Sequence, residues 1–194
     1  MTGPVLSASQ LELWKMCPRR WYHTYIEGRR EEAGDAAQAG TAIHELLEKY
    51  LRDGAIPDTT AVWGRYAVGK VATAMLENLP APGSVQDVEL KLDLEVNGIQ
   101  YTGRIDAVDG TTVYDQKSTS ALRYAKTEAD LSTDIQAMLY ARWLDKDGTL
   151  VWNYGQTKGP AKTRKVSLTV FRDDVRIKFE KIVEPVARQV LAAY

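Results

Sequence analysis

The stretch Val88–Ser118, VELKLDLEVNGIQYTGRIDAVDGTTVYDQKS, decides the fold of this chain. Apolar and polar residues alternate along it, and the alternation is interrupted at Asn97-Gly98 and again at Asp109-Gly110. Both dipeptides favour the two-residue type I′ turns that join antiparallel strands. The stretch therefore predicts three consecutive strands in an antiparallel meander.

Two-residue loops would also set the register of these strands. Val96 would pair with Ile99, and Val108 with Thr111, provided that neither hairpin contains a bulge. One face of the meander is then a continuous apolar stripe, which we expect to cover the core. The stripe contains Val88, Leu90, Leu92, Leu94, Tyr101, Ile105 and Ala107.

The opposite face of the meander collects charged side chains. Counting back along the predicted ladders sets Glu89 opposite Asp106 and makes Asp115 a diagonal neighbour of Asp106, with Lys117 on the same face. Two carboxylates this close can share a divalent cation, and both are hard oxygen ligands suited to Mg²⁺ or Mn²⁺. The alternative is plain solvation, with Asp115 and Lys117 as a surface ion pair of little energetic value.

The composition is that of an ordinary globular protein, 44% hydrophobic and 26% charged. The 194 residues are most simply one domain, with a helical part over 1–80, a sheet core over 85–172 and a C-terminal helix over 173–194. Cys17 is the only cysteine, which excludes an internal disulfide and a four-cysteine metal site, and predicts a reducing cytoplasm. We expect no signal peptide and no membrane span.

The charge distribution is more informative than the net charge of −1. Residues 156–181 contain eight basic and three acidic side chains. Near the N-terminus, basic residues alternate with aromatic ones, and Trp21 or Tyr22 could stack on a terminal base. A solvated charged face and a half-buried aromatic helix would produce the same patterns. The second cluster contains Trp14, Lys15, Arg19, Arg20, Trp21, Tyr22 and Tyr25.

The remaining periodicities predict a mixed α/β arrangement in layers. Helices are predicted over 7–15, 18–26, 41–52, 59–79 and 128–145 and from 173 onward, and strands over 150–154 and 166–172.

In this order of elements, the sequence resembles the RecB-like branch of the PD-(D/E)xK nuclease superfamily. Each motif is short, but the ordered set with these spacings is characteristic of the branch. The motifs are Ser9-x-Leu11 with Cys17–Tyr22, Gly40-Thr41-Ala42-Ile43-His44, Glu89, Gly103–Asp106, Asp115-Gln116-Lys117 and Gln136-x-x-x-Tyr140. The resemblance implies a restriction-endonuclease-like core, in which a central mixed sheet is flanked by helices.

The resemblance also implies a metal-dependent DNA nuclease that uses Mg²⁺ or Mn²⁺. Lys117 would hold the attacking water, and Gln136 and Tyr140, one turn apart, would orient a carboxylate or contact the phosphodiester. The implied metal ligands are His44, Asp106, Asp115 and the backbone carbonyl of Gln116. The implied catalytic residues are Glu89, Asp106, Asp115, Lys117, Gln136 and Tyr140.

Two residues have a plainer interpretation beside the functional one. His44 shares a helix face with Leu47 and Leu51 and could be a packed core histidine. Glu89 is followed at alternate positions by Lys91, Asp93 and Glu95. A strand face of this kind could simply be exposed to solvent. The branch's iron–sulfur members carry three additional cysteines near the C-terminus, whereas Cys17 stands alone here, so we expect no iron–sulfur cluster.

The function predicted from the sequence is an exonuclease that processes DNA ends in recombination or repair. Its partners would be DNA ends or single strands, with a homo-oligomer or a recombination protein as a further partner. The alternatives are a structure-selective or nicking endonuclease, and a non-catalytic DNA-binding protein on the same fold.

Overall fold

The computed structural model describes residues 4–194. The helices are α1 (Ala8–Met16), α2 (Pro18–Tyr25), α3 (Asp35–Asp53), α4 (Val68–Met75), α5 (Glu128–Leu131), α6 (Ile135–Leu144), α7 (Arg172–Ile182) and α8 (Glu184–Leu191). The strands are β1 (Leu6–Ser7), β2 (Asp87–Val96), β3 (Ile99–Asp109), β4 (Thr112–Thr119), β5 (Gly148–Gln156) and β6 (Thr163–Val170).

The strands form one mixed sheet at the centre of the fold. β2, β3 and β4 are the predicted antiparallel meander, β5 runs parallel to β4, and β6 runs antiparallel to β5. Two hydrophobic cores flank the sheet, one under α3 and α4, the other under α1, α6, α7 and α8. This architecture confirms the predicted fold class.

The register of the second hairpin differs from the prediction by two residues. Val108 pairs with Val113 and not with Thr111, because the loop consists of Gly110 and Thr111. Gly110 has a φ of 58°, as in a type II′ turn, where glycine takes the first loop position. A shift of two residues preserves the alternation of faces, so Asp115 comes directly opposite Asp106 in the extended register. The first hairpin has the predicted register, with Val96 paired to Ile99.

One edge of β3 is shared by two strands and is open between them. β2 pairs along nearly the whole of β3, whereas on the other edge β4 pairs only with Ala107–Asp109 and β1 only with Tyr101–Thr102. Within the described chain, residues 103–106 therefore have no strand partner on this edge. The resulting fork between β3 and β4 makes room for side chains from the neighbouring helices.

Several predicted helices are shorter or interrupted. The helix predicted over 59–79 is helical only from Val68, because a tight bridge between Trp63 and Tyr66 occupies the preceding segment. The helix predicted over 128–145 is divided where Asp134 caps α6, its side chain accepting a hydrogen bond from Ala137 N at 2.9 Å. The C-terminal helix is divided before Pro185, which lacks a backbone N–H group. None of the helices over residues 4–194 is long and apolar enough to span a bilayer.

Candidate active site

The fork between β3 and β4 brings together three candidate metal ligands from three elements. His44 on α3, Glu89 on β2 and Asp106 on β3 each offer an atom within 4.8 Å of the others. His44 Nδ1 lies 3.7 Å from Asp106 Oδ2. Residues separated by up to 62 positions in sequence thus meet at one point of the surface.

The position of His44 depends on a close approach of α3 to β4. A Cβ atom at Gly40 would lie only 2.8 Å from Ser118 Oγ, so glycine lets the helix backbone lie against the strand. His44 follows one helical turn later on the same face, which brings its imidazole to Asp106. The Gly40-x-x-x-His44 spacing therefore has a physical basis in helix–sheet packing.

Glu89 reaches the cluster through an irregular backbone. Its φ is 57°, a left-handed conformation that is uncommon for a residue with a side chain. The β2–β3 ladder pairs Val88 and Leu90 but omits Glu89, whose carboxylate instead accepts a hydrogen bond from Arg104 Nη1 at 3.1 Å. A strained backbone of this kind is typical of functional positions and is not expected on a simple solvated strand.

Asp115 is nearly completely buried, with 1% of its surface exposed, and its side chain is held by α6. Gln136 Nε2 donates a hydrogen bond to Asp115 Oδ1 at 3.0 Å, and the Tyr140 hydroxyl lies 3.0 Å from the same oxygen. The Tyr140 hydroxyl also lies 2.6 Å from the carbonyl of Arg104, on the open edge of β3. Gln136 and Tyr140 thus contact a carboxylate, which is one of the two roles expected for them.

The second carboxylate oxygen of Asp115 is available to a cation. Lys117 Nζ forms an ion pair with Asp115 Oδ2 at 2.8 Å, which uses one lone pair of this oxygen and leaves the other for a cation. Asp115 does not belong to the tight group formed by His44, Glu89 and Asp106, but it lies next to it. A buried carboxylate oxygen with a free lone pair fits a metal ligand.

The electrostatics of the fork also favour a bound cation. Burial and the nearby Asp115 carboxylate raise the pKa of Asp106 to about 8, because two close carboxylates resist ionising together. Burial lowers the pKa of His44, which leaves a neutral imidazole that can bind metal. Although burial opposes it, the Asp115 carboxylate raises the pKa of Lys117, so this lysine stays charged at neutral pH. Two carboxylates and a neutral imidazole form a donor set that can bind a divalent metal.

Gln116 contributes to the fork through its backbone. Its N–H group donates a hydrogen bond to Asp106 Oδ2 at 2.5 Å, while its side chain points to the other face of the sheet and accepts a hydrogen bond from Asn153. Metal binding by its carbonyl stays a prediction.

Asn153 was not predicted from the sequence as part of the site. It is fully buried, and its Nδ2 donates to Gln116 Oε1 and to the Met75 carbonyl, each at 2.9 Å. Its Oδ1 accepts hydrogen bonds from Asn78 at 3.2 Å and Thr163 at 3.0 Å. The only sequence signal is one asparagine inside an otherwise apolar strand. The network holds the back of β4 at the residue that binds Asp106.

The suggestion that Trp21 stacks on a base is wrong. Trp21 is completely buried, with ring centroids 5.1 Å from Trp14 and 5.2 Å from Tyr194. Its amphipathic helix turns this side chain into the core. Tyr22 on the same helix is 45% exposed.

The chain belongs to the PD-(D/E)XK nuclease superfamily, whose family model matches residues 5–191. This membership confirms the superfamily inferred from the motifs, and nucleases of this superfamily use divalent metals. The RecB-like branch stays a prediction.

The chain is similar to solved structures at low sequence identity. A candidate exonuclease from Eubacterium rectale, which has the same fold, is 11% identical, with a TM-score of 0.63 over 97% of this chain and 82% of that chain. The structure of SSO0001 is 13% identical, with a TM-score of 0.42 over 93% of this chain and 75% of that chain. No curated protein matches this sequence.

Proposed function

We propose that this protein is a Mg²⁺- or Mn²⁺-dependent deoxyribonuclease, an exonuclease that processes DNA ends in recombination or repair. The observation that carries the proposal is the position of His44, Glu89 and Asp106 within 4.8 Å of one another, beside the ion pair formed by the buried Asp115 and the partly exposed Lys117. The cleft that contains them is open to solvent and large enough for a phosphodiester.

The metal would be held by His44, Asp106 and Asp115, with the Gln116 carbonyl as a further ligand. When bound, it supplies Lewis-acid stabilisation of a phosphoryl oxygen and lowers the pKa of a water molecule. Gln136 and Tyr140 fix the orientation of Asp115, and burial raises the pKa of Tyr140, so that its hydroxyl stays neutral and can donate a hydrogen bond.

Lys117 would act as a hydrogen-bond donor and a positive charge. Its raised pKa disfavours a role as general base at neutral pH, whereas an ammonium group can position the attacking water and stabilise charge that develops on the phosphate. The Lys117 side chain is 36% exposed. Its ion pair with Asp115 holds the ammonium group at the border between the buried site and the solvent. Glu89 would hold Arg104 and lie next to the metal.

Two observations support a catalytic exonuclease, the first against the endonuclease alternative and the second against the non-catalytic one. The Eubacterium rectale structure of the same fold is described as a candidate exonuclease, and the two acids and the lysine of the Asp106 and Asp115-x-Lys117 motifs are intact. A non-catalytic DNA-binding protein would have no need to retain this set. We place the activity in the cytoplasm, acting on DNA ends or single strands, with a homo-oligomer or a recombination protein as a further partner.

The proposal is tested by comparing linear DNA with covalently closed circles, single- and double-stranded, at equal mass. We expect linear DNA to be degraded in Mg²⁺ or Mn²⁺, closed circles to resist, and EDTA to stop the reaction. Degradation of the circles at a comparable rate would support the endonuclease alternative. Binding without cleavage in either metal would support the non-catalytic one.

A further inference from the structure

The loop between β5 and β6 lies in a stretch of sequence that is rich in basic residues and contains no acidic residue. The 25 residues from Gly148 to Arg172 include five basic side chains and no acidic one. Four of the five belong to the segment Thr157–Lys165, hereafter the basic hairpin. One of the four is Lys165, and the other three are Lys158, Lys162 and Arg164. They are exposed, and none of them forms an ion pair with a carboxylate anywhere in residues 4–194.

The N-terminal basic cluster differs only in part, because Lys15 and Arg19 also form no ion pair within residues 4–194, whereas Arg20 and the neighbouring Arg29 do. On and after α2, Arg20 pairs with Glu31 at 3.2 Å, and Arg29 pairs with Glu27 at 2.9 Å. Carboxylates at this distance compete with a phosphate for the same guanidinium groups. A polyanion therefore gains more from Lys158, Lys162 and Arg164, which form no ion pair within residues 4–194, than from guanidinium groups that are already paired.

The strand register connects the basic hairpin to the candidate active site. Lys117 pairs with Tyr154, and Tyr154 pairs with Arg164, so Arg164 lies on the same rung and the same face as Lys117. Lys162 precedes Arg164 by two residues and so shares this face. The hairpin thus extends the face that carries Lys117 across two further strands.

The tip of the basic hairpin continues past the end of β4. Thr157 N donates to the Thr119 carbonyl at 2.8 Å, and Lys158 N donates to the Ser120 carbonyl at 3.3 Å. These bonds anchor the tip to the chain that leaves the active site. Neighbouring strands are ~4.8 Å apart, so the backbones at Arg164 and Lys117, two strands from each other, are roughly 10 Å apart.

We propose that the basic hairpin binds the phosphates of the DNA strand on one side of the bond that is cleaved. Lys158, Lys162 and Arg164 contact successive phosphates, and contacts of this kind position a strand without reading its sequence. The inference rests on the proposed nuclease function and adds to it the surface that holds the substrate.

The test compares two triple variants that remove the same net charge. One is Lys158→Ala with Lys162→Ala and Arg164→Ala. The matched control is Lys146→Ala with Lys178→Ala and Lys181→Ala, three exposed lysines before β5 and on α7. Binding of a fluorescent 20-nucleotide DNA, single-stranded or duplex, is measured by anisotropy in EDTA, where cleavage cannot occur.

We expect the hairpin variant to bind DNA more weakly and with a smaller dependence on salt. Each lost phosphate contact lowers the slope of log affinity against log salt by ~0.9 for duplex. The variant lacks three such contacts. When salt is raised from 50 to 200 mM, the affinity of wild type should therefore fall by a factor about 40 times larger than the factor by which the affinity of the variant falls. The loss should be similar for unrelated DNA sequences, and the control should bind like wild type. Unchanged affinity and slope in the hairpin variant, or an equal loss in the control, would overturn the inference.

A kinetic measurement separates this inference from the proposed function. With the metal present, the hairpin variant should show a raised KM for linear DNA, while the rate at saturating DNA stays within twofold of wild type. If wild type cleaves DNA and the hairpin variant has the same KM, the inference fails and the nuclease remains. If wild type binds DNA through the hairpin but never cleaves it, the proposed function fails and the inference stands.

Lysine footprinting provides a check on the unmodified protein that does not depend on the folding of a variant. DNA should protect Lys158 and Lys162 from reductive methylation, and Lys178 and Lys181 should react equally with and without DNA. Equal reactivity of Lys158 and Lys162 in both conditions would contradict the proposal.

Discussion

The backbone N–H of Gln116 donates a hydrogen bond to Asp106 Oδ2 at 2.5 Å, at the place where the ladder between β3 and β4 has ended. A side chain of β3 thus replaces the missing backbone pairing to β4. Asp106 therefore has two functions that can be separated experimentally: it joins the two strands, and it is a candidate metal ligand.

Asp106→Asn should abolish metal binding and preserve the fold. The Asn oxygen can still accept the hydrogen bond from Gln116, but an amide lacks the charge that a divalent cation needs. We expect cleavage to fall at least 100-fold, an order typical of losing a metal's catalytic contribution. Asp106→Ala should in addition lose about 1 kcal/mol of stability with the lost hydrogen bond. Calorimetric titration with Mn²⁺ and chemical denaturation measure the two effects, and unchanged Mn²⁺ affinity in Asp106→Asn would remove this residue from the site.

The metal-free protein should become less stable as pH rises through neutrality. Burial and Asp115 raise the pKa of Asp106 to about 8, above its value of about 3.9 in an unfolded chain. Between these values the folded protein retains a proton that the unfolded chain releases, so the stabilisation from this group is complete below about pH 4 and declines toward pH 8. The difference in unfolding free energy between wild type and Asp106→Asn, measured in EDTA from pH 5 to 8.5, should follow this decline.

The same proton competes with the metal. Apparent affinity for Mn²⁺ should rise from pH 6 to 8, and binding near pH 7 should release protons. Calorimetry in buffers of different ionisation enthalpy measures the release. An affinity that does not vary with pH would contradict the raised pKa.

Lys117→Ala should stop turnover and retain metal affinity. The ammonium group is expected to act on water and phosphate and does not bind the metal itself, so its loss should cost roughly 100- to 1,000-fold in kcat. Lys91→Ala is a suitable control, because Lys91 is exposed and pairs only with the exposed Asp93 at 2.9 Å. A Lys117→Ala variant that has lost Mn²⁺ binding would indicate that the lysine supports the metal site and not the reaction.

Asn153→Leu should destabilise the protein although Asn153 lies behind the active site. The substitution removes hydrogen bonds to Gln116 and the Met75 carbonyl and leaves buried polar groups without partners, which costs about 2–4 kcal/mol in all. Thr163→Val removes the two hydrogen bonds of the Thr163 hydroxyl, to Asn153 Oδ1 and from Asn78 Nδ2, leaves the bonds of Asn153 to Gln116 and Met75 intact, and should cost about 1–2 kcal/mol. Urea denaturation compares both variants with wild type, and an Asn153→Leu variant as stable as wild type would show that the network contributes little.

Cys17→Ser should preserve or slightly increase stability. Cys17 is the N-cap of α2, and its Sγ accepts a hydrogen bond from Arg20 N at 3.4 Å. A serine oxygen is a stronger acceptor at this position, and a gain of up to about 1 kcal/mol is expected. We also expect the purified protein to be colourless. Stoichiometric iron that depends on Cys17 would contradict this and would indicate a cluster shared between subunits.

The sequence by itself was sufficient to predict the elements that depend on neighbouring residues. The φ preferences at Asn97-Gly98 defined the first hairpin and its register, and alternation along β4 predicted that Asp115 and Lys117 share a face, although this face also carries the core residue Val113. The order of short motifs identified the superfamily, because the spacing of Gly40 from His44 and of Asp115 from Lys117 reflects local backbone geometry.

Only the tertiary structure decided how these residues meet. The second hairpin shifted by two residues, because Gly110 could take a positive φ in either of two adjacent loops and the turn alone did not discriminate between them. Contacts between distant segments decided that Trp21 is buried and that Asn153 supports Gln116. They also decided that Tyr140 meets the open edge of β3. Such contacts depend on the packing of helices against a twisted sheet, which no local pattern encodes, whereas turns and alternation are set within a few residues of chain.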